Sequence, residues 1–316
     1  MALKASSIDR IRAHSSGPLL LIALLFSTAL DASSQELEPQ RWRHLPVDTN
    51  FVTASYIHLD ADIALDPVLG IEDATSSVDT WALAYMRTFE LFGHSAQVRI
   101  LQPFQDGSWE GSLTGMPVAV ERQGLADTEV RFAVHLFGAP PLKGREYGAY
   151  RASSRVHTTG GLALAIQLPT GEYNDKKLIN LGTNQYVFRP EIGIVHDRGN
   201  WSFEASAIAS FYTDNESYFG GNELELAPLW FAQANMLYRF RPDLWAAVGV
   251  GYAIGAESTV NGVDNGDRRE NILLGASVGY SVVPWLGITL KYIRSENQVE
   301  IGTSSDRYIA SLSTFW

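Results

Sequence analysis

From about Asn50 onward the chain is built of segments of roughly ten residues whose side chains alternate between apolar and polar. No other feature constrains its fold as strongly. In the C-terminal segment "DRYIASLSTFW", Tyr308, Ala310, Leu312, Thr314 and Trp316 share one face, and Arg307, Ile309, Ser311, Ser313 and Phe315 share the other. Period two specifies a β-strand. The same pattern sets Val130, Phe132, Val134 and Leu136 against Glu129, Arg131 and His135, and Leu162, Leu164, Ile166 and Leu168 against Gly161, Ala163, Ala165 and Gln167. The connections alternate in length. Short turns fall near Glu90–His94, Gly138–Leu142, Asp197–Asn200, Arg241–Asp243 and Val283–Trp285, each with Gly or Pro. Longer polar connections fall near Asp60–Ser76, Gln105–Gln123, Gly171–Asn184, Asp214–Leu224, Ser258–Arg269 and Glu296–Ser305. Eleven connections separate about twelve strands.

The N-terminus is of another kind. Lys4, Arg10 and Arg12 precede the apolar run Pro18–Leu30, and small residues follow at Asp31–Ser34. The run is too short to span a bilayer as a helix. It reads as a secretory signal peptide over 1–34, cleaved near Ala32 or Ser34. Residues 35–48 then form a short periplasmic segment, and 49–316 the folded domain. The chain has no cysteine, which excludes disulfides and thiolate metal sites, and a formal net charge of −11, which argues against a nucleic-acid partner.

Two solvents fit alternating strands. In a soluble sandwich the apolar face points inward; in an outer-membrane barrel it faces lipid, and the polar face lines the lumen. Aromatics near strand ends (Trp81, Trp201, Tyr280 with Trp285, and Trp316), small residues on the polar faces and the short–long alternation of connections favour the barrel. Lipid cannot satisfy an open sheet edge, so the first strand must pair with the last. The expected fold is all-β: a single closed antiparallel transmembrane β-barrel with short periplasmic turns and longer outer loops. Its C-terminal strand, through Tyr308, Leu312, Phe315 and Trp316, is the expected signal for the barrel-assembly machinery.

The stretches Gly124–Leu142, Leu168–Ile194, Phe211–Gly221 and Tyr238–Gly262 resemble the phenol-degradation MetA-like family of outer-membrane transporters. The resemblance covers roughly Leu45 to Trp316. It implies a barrel in the bacterial outer membrane and transport of small hydrophobic or aromatic compounds, with no catalytic set to carry over.

Strand parity places Arg99, Asp127, Glu129, Arg131, His135, Arg189, Glu191, Glu204 and Lys291 on the lumen face. They are either a charge-selecting constriction or a salt-bridge network that fills a narrow barrel. "LPTGEY" is a Gly-containing bend at a strand end, with anion cradling as its alternative. The expected activity is passage of a small-molecule solute, with no cofactor. Outer-membrane lipid and lipopolysaccharide are the expected surroundings. Rival readings are a structural barrel with a plugged lumen, a secreted sandwich, and a barrel-wall lipid hydrolase. The last needs a Ser–His pair, and no serine is placed by the sequence beside His196.

Overall fold

The computed structural model describes residues 37–65 and 71–316. The signal segment and its cleavage site lie outside the described residues. The chain forms β1 (Asn50–Ala64), β2 (Ile71–Leu91), β3 (His94–Leu113), β4 (Met116–Leu125), β5 (Thr128–Phe137), a helix α1 (Gly144–Ser153), β6 (Val156–Leu168), β7 (Val187–Arg198) and β8 (Trp201–Tyr212). Then come β9 (Asn215–Tyr218), β10 (Asn222–Leu226), β11 (Leu229–Arg241), β12 (Leu244–Gly255), β13 (Ser258–Val260), β14 (Val263–Asp264), β15 (Arg269–Val283), β16 (Leu286–Asn297) and β17 (Gly302–Phe315).

Antiparallel neighbours run in sequence around a ring, and β17 pairs β1 from Phe51↔Phe315 to Ala64↔Gly302. The backbones of Asn50 and Trp316 exchange two further bonds. The ring has twelve staves, because β4 and β5 together make one: β5 pairs the lower part of β3 and β4 its upper part. No sheet edge is left at membrane depth, which is what lipid requires.

Outward residues form an apolar belt between two aromatic rings. Tyr56, Trp81, Phe211, Trp230 and Tyr292 are exposed in the outer ring; Trp201, Tyr280, Trp285 and Trp316 are exposed at the periplasmic ends. Leu83, Leu164, Ile192, Val250 and Leu290 fill the belt between. From Trp201 to Phe211 the strand advances ten residues, about 25 Å once tilted, the height of an outer-membrane hydrocarbon layer.

Several outer connections are more ordered than a loop. Residues 105–123 extend the β3–β4 hairpin beyond the ring. Strands β9, β10, β13 and β14 make a separate small sheet over the outer end, closed by Tyr218, Leu224 and Val260. Helix α1 follows the Gly138–Leu142 turn at the periplasmic mouth; it buries no residue and has almost no apolar face, so it left no periodic signal in the sequence.

The N-terminal segment requires a correction. It was expected in the periplasm, but Leu37 to Trp42 run inside the barrel, and the segment emerges at the periplasmic rim, where Asp48 meets Arg87 and Lys143. Leu37 and Trp42 are 2% and 1% exposed. Leu37 fills the space that side chains at Gly251 and Gly275 would occupy, and Trp42 the space at Gly161 and Gly193. Burying a Leu side chain is worth about 1.5–3 kcal/mol and a Trp more. Glycine-lined recesses in the wall therefore hold the segment in the lumen.

Candidate functional site

Inward-facing side chains give the lumen two unlike sides. On β3, β5 and β7, Arg99, Glu129, Arg131, Arg189 and Glu191 join two residues of the N-terminal segment in one chain of alternating charge. Arg189 meets Glu129 at 3.0 Å, Glu129 meets Arg99 at 3.0 Å, and Arg99 meets Glu38 at 3.1 Å. Glu38 pairs with Arg41, Arg41 reaches Glu191 at 2.6 Å, and Arg131 closes on Glu191 at 2.9 Å. The Arg131 guanidinium also lies 5.1 Å from the Trp42 ring centroid. Each carboxylate is flanked by two cations, which offsets the cost of removing these charges from water.

The other predicted residues are placed apart from that chain. Asp127 lies at the β4–β5 junction, buried. It accepts bonds from Gln167 Nε2 (2.9 Å), Gly171 N (2.8 Å), Thr183 N (2.9 Å) and Thr183 Oγ1 (2.7 Å). The "LPTGEY" bend does cradle an anion, and that anion is the protein's own Asp127. His135 is buried with Nε2 3.2 Å from the Trp42 carbonyl. Glu204 is 5% exposed on β8, and neither carboxylate oxygen has a well-aligned hydrogen bond. Lys291, half-buried on β16, acts on the charge of Glu38.

On the opposite side the lumen wall sets apolar residues among polar ones such as Asn271, Ser295 and Arg307. Phe231, Leu273, Ile293 and Ile309 are buried facing inward around Leu37. Toward the outer end, Leu59, Ile63, Val78 and Trp109 form a second apolar cluster. Ile179 and Leu181, from the loop between β6 and β7, dip into it. Arg122 Nε holds the Ile179 carbonyl at 2.9 Å. This loop thus lies in the outer end of the lumen, and the N-terminal segment lies further in.

The periplasmic mouth is fastened around His44. Its ring packs 5.0 Å from Tyr147 and 5.5 Å from Tyr150 of α1, and its Nε2 lies 2.9 Å from the Pro140 carbonyl. Burial pushes the imidazole down to about 4, and the nearby His135, Arg151 and His157 act in the same sense.

Glu38, Arg41 and Trp42 escaped the sequence reading because "LEPQRWRH" shows no strand period and its charges suggest a linker. The signal that could have found them is the pair of large apolar residues, Leu37 and Trp42, set among those charges. His196 Nδ1 lies 2.8 Å from Thr158 Oγ1, and His58 is held between Asp79 (2.8 Å) and Asp60 (3.1 Å), so neither has a serine partner. Among the described residues no group of three His, Asp or Glu has metal-binding geometry.

The sequence matches the model of the family described as "Putative MetA-pathway of phenol degradation" over residues 67–308. The chain belongs to this family. Among solved structures it is similar to the COG4313 outer membrane channel from Pseudomonas putida F1, with 19% identity, 89% of this chain and 100% of that chain covered, and a TM-score of 0.75. It is also similar to the β domain of the Bordetella autotransporter BrkA, with 10% identity, 85% and 100% covered, and a TM-score of 0.49. At these identities the first likeness concerns the barrel fold. No curated protein sequence matches significantly. Family membership and the closed transmembrane barrel agree with the expectations from the sequence.

Proposed function

We propose that this chain is an outer-membrane channel for small apolar or aromatic molecules, whose path follows the apolar side of the lumen. One observation carries the reading. Two inward-facing apolar clusters lie in the lumen, Leu59, Ile63, Val78 and Trp109 toward the outer end and Phe231, Leu273, Ile293 and Ile309 around Leu37. A lumen that passes only hydrophilic solutes has no use for such clusters, since water-filled barrels keep their interiors polar. Membership of a family described by phenol degradation supports an aromatic substrate. Passage requires the loop carrying Ile179 and Leu181, and the N-terminal segment, to move aside. The charge chain on the facing wall anchors the segment and excludes ions from the apolar path.

The test is uptake by proteoliposomes of a panel of monoaromatic, aliphatic and sugar solutes of similar size. Aromatic and aliphatic solutes should enter faster than sugars, and paired Ile179→Ala and Leu181→Ala changes should speed them further. Equal rates for sugars and aromatics would overturn the apolar path.

The sockets for Leu37 and Trp42 favour a second reading, a structural barrel with a permanently plugged lumen. The same panel separates the two. A plugged barrel admits nothing until residues 37–45 are deleted.

A further inference from the structure

The outer wall carries a feature that the lumen does not explain. Most cations at the periplasmic end have a carboxylate partner: Arg87 and Lys143 on Asp48, Arg241 on Asp243, Arg151 and Arg239 on Asp197. Among the described residues no carboxylate pairs with Arg155 or Arg198, and both are exposed. The two are adjacent. Val156 is the register partner of Arg198, Gly199 N donates to the Arg155 carbonyl (2.7 Å), and the Arg155 guanidinium lies against Gly199.

Their depth is fixed by Trp201, the register partner of Arg198 and a member of the periplasmic aromatic ring. Aromatic rings sit at the headgroup level, so the two guanidiniums lie at the phosphate layer of the periplasmic leaflet. Two residues further into the membrane on the same strand face, His196 and Thr158 form a polar pair. His196 is also the foot of an apolar groove of about 630 Å³ on the lipid-facing wall. Ala205 and Ala234, paired in register, make its floor, and Phe203, Met236 and Ile194 make its sides.

We propose that this groove and the Arg155–Arg198 pair form a binding site for one anionic phospholipid of the periplasmic leaflet, its acyl chain in the groove and its phosphate on the two guanidiniums. Charge selects the occupant. Arg198 lies two residues beyond His196 on the same strand face, with Arg155 beside Gly199, and guanidiniums without a carboxylate bind phosphate oxygens in a forked geometry. The alanine floor leaves room for a chain, which side chains as large as those of the neighbouring belt would fill. The site depends on the transmembrane fold and is independent of what the lumen carries.

The full-length protein in nanodiscs of equal parts phosphatidylglycerol and phosphatidylcholine provides the test, with native mass spectrometry reading the lipid retained on release. Retained phosphatidylglycerol should exceed phosphatidylcholine by about thirty-fold, the effect of two arginines at an anionic surface. Paired Arg155→Gln and Arg198→Gln changes should abolish the preference. Paired Ala205→Leu and Ala234→Leu changes should lose the lipid with both arginines intact. Faster migration of the unboiled protein verifies folding, and Arg198→Gln alone serves if the double variant does not insert. Equal retention of the two lipids, unchanged retention in either folded variant, or release by inorganic phosphate alone would each overturn the proposal.

Discussion

The indole of Trp42 occupies the space that a side chain at Gly193 would need. A methyl group at Gly193 would meet the atoms of that ring first, and the same ring crowds Gly161 on the neighbouring strand. One residue of the N-terminal segment is thus keyed to Gly193, and it also touches Gly161, whose first neighbour is the Val134 carbonyl.

That relationship predicts what a single methyl group would do. Gly193→Ala should leave the strand intact, since alanine suits a strand better than glycine, but should push Trp42 out of its recess. The segment should then leave the lumen part of the time, and planar-bilayer recordings should show openings that the unmodified protein lacks. Trp42→Ala should behave alike. A folded Gly193→Ala protein with the conductance of the parent would show that the socket does not hold the segment.

Glu191 is the most heavily used carboxylate of the lumen, held by Arg41 and by Arg131. Its side chain is 1% exposed. Glu191→Ala leaves the buried Arg131 without a carboxylate and Arg41 with Glu38 alone, and should destabilise the barrel by about 3–5 kcal/mol in reversible unfolding from lipid. Arg131→Ala should cost less, because Arg41 still neutralises Glu191. The folded Arg131→Ala protein should shift its reversal potential toward cations under a salt gradient once the lumen is opened by Gly193→Ala. Equal losses for the two variants would mean that Arg41 and Arg131 do not share the carboxylate.

The two faces of β6 should respond oppositely to charge. Leu164 is 40% exposed toward lipid and Ala163 is 8% exposed toward the lumen. Leu164→Arg should cost about 2–4 kcal/mol near the bilayer midplane, and Ala163→Ser should be mild. The readout is the unfolding midpoint in lipid vesicles, and reversed severities would contradict the assignment of faces.

Much of this wall was legible from the sequence because strand parity is local. Leu164 and Ala163, or Phe132 and Arg131, declare their faces by position alone. The twelve staves follow from the same count. The partners of the inward charges were not legible. Arg99 and Glu129 are within reach of one another from neighbouring staves, but Glu38 and Arg41 arrive from a segment with no period, and contacts across 150 residues, such as Arg41 with Glu191, leave no local trace. The apolar side of the lumen was hidden for a different reason. Ile293 and Ile309 interrupt polar faces, and the alternation rule reads such interruptions as noise. Asp127 was assigned to the lumen face by strand parity, but it sits between β4 and β5, and three of its four donors come from a loop in which Gly171 and Gly182 approach closely.

Asp127 therefore controls that loop more than it controls the lumen. Asp127→Ala would leave the amides of Gly171 and Thr183 without their acceptor, at about 1–3 kcal/mol for each orphaned group. The loop should loosen while the barrel stays folded. Trypsin provides the measurement, because Lys176 and Lys177 are exposed near its tip. Cleavage there should be several-fold faster in the variant, by about the opening equilibrium that the lost bonds release. Unchanged cleavage would show that Ile179 and Leu181 hold the loop without help.

The mouth should respond to acid through His44. Its folded-state value of about 4 lies below the ordinary value of 6.5, so the folded protein favours the neutral ring. Above about pH 6.5 the ring is neutral in both states and contributes no pH dependence. Between 6.5 and 4 the unfolded chain takes up a proton that the folded chain refuses, so stability falls as pH falls across that window. Carboxylates titrate toward the lower end of the same range, and the comparison must remove their contribution. His44→Phe does so, since it keeps an aromatic ring against Tyr147 and Tyr150 and deletes the titrating group together with its bond to the Pro140 carbonyl, while leaving the carboxylates in place. The unfolding midpoint of the parent should drop more steeply than that of His44→Phe as pH is lowered through the window. Parallel curves would mean that protonation of His44 costs the folded mouth nothing, and that the ring is solvated where it sits between α1 and the Pro140 carbonyl.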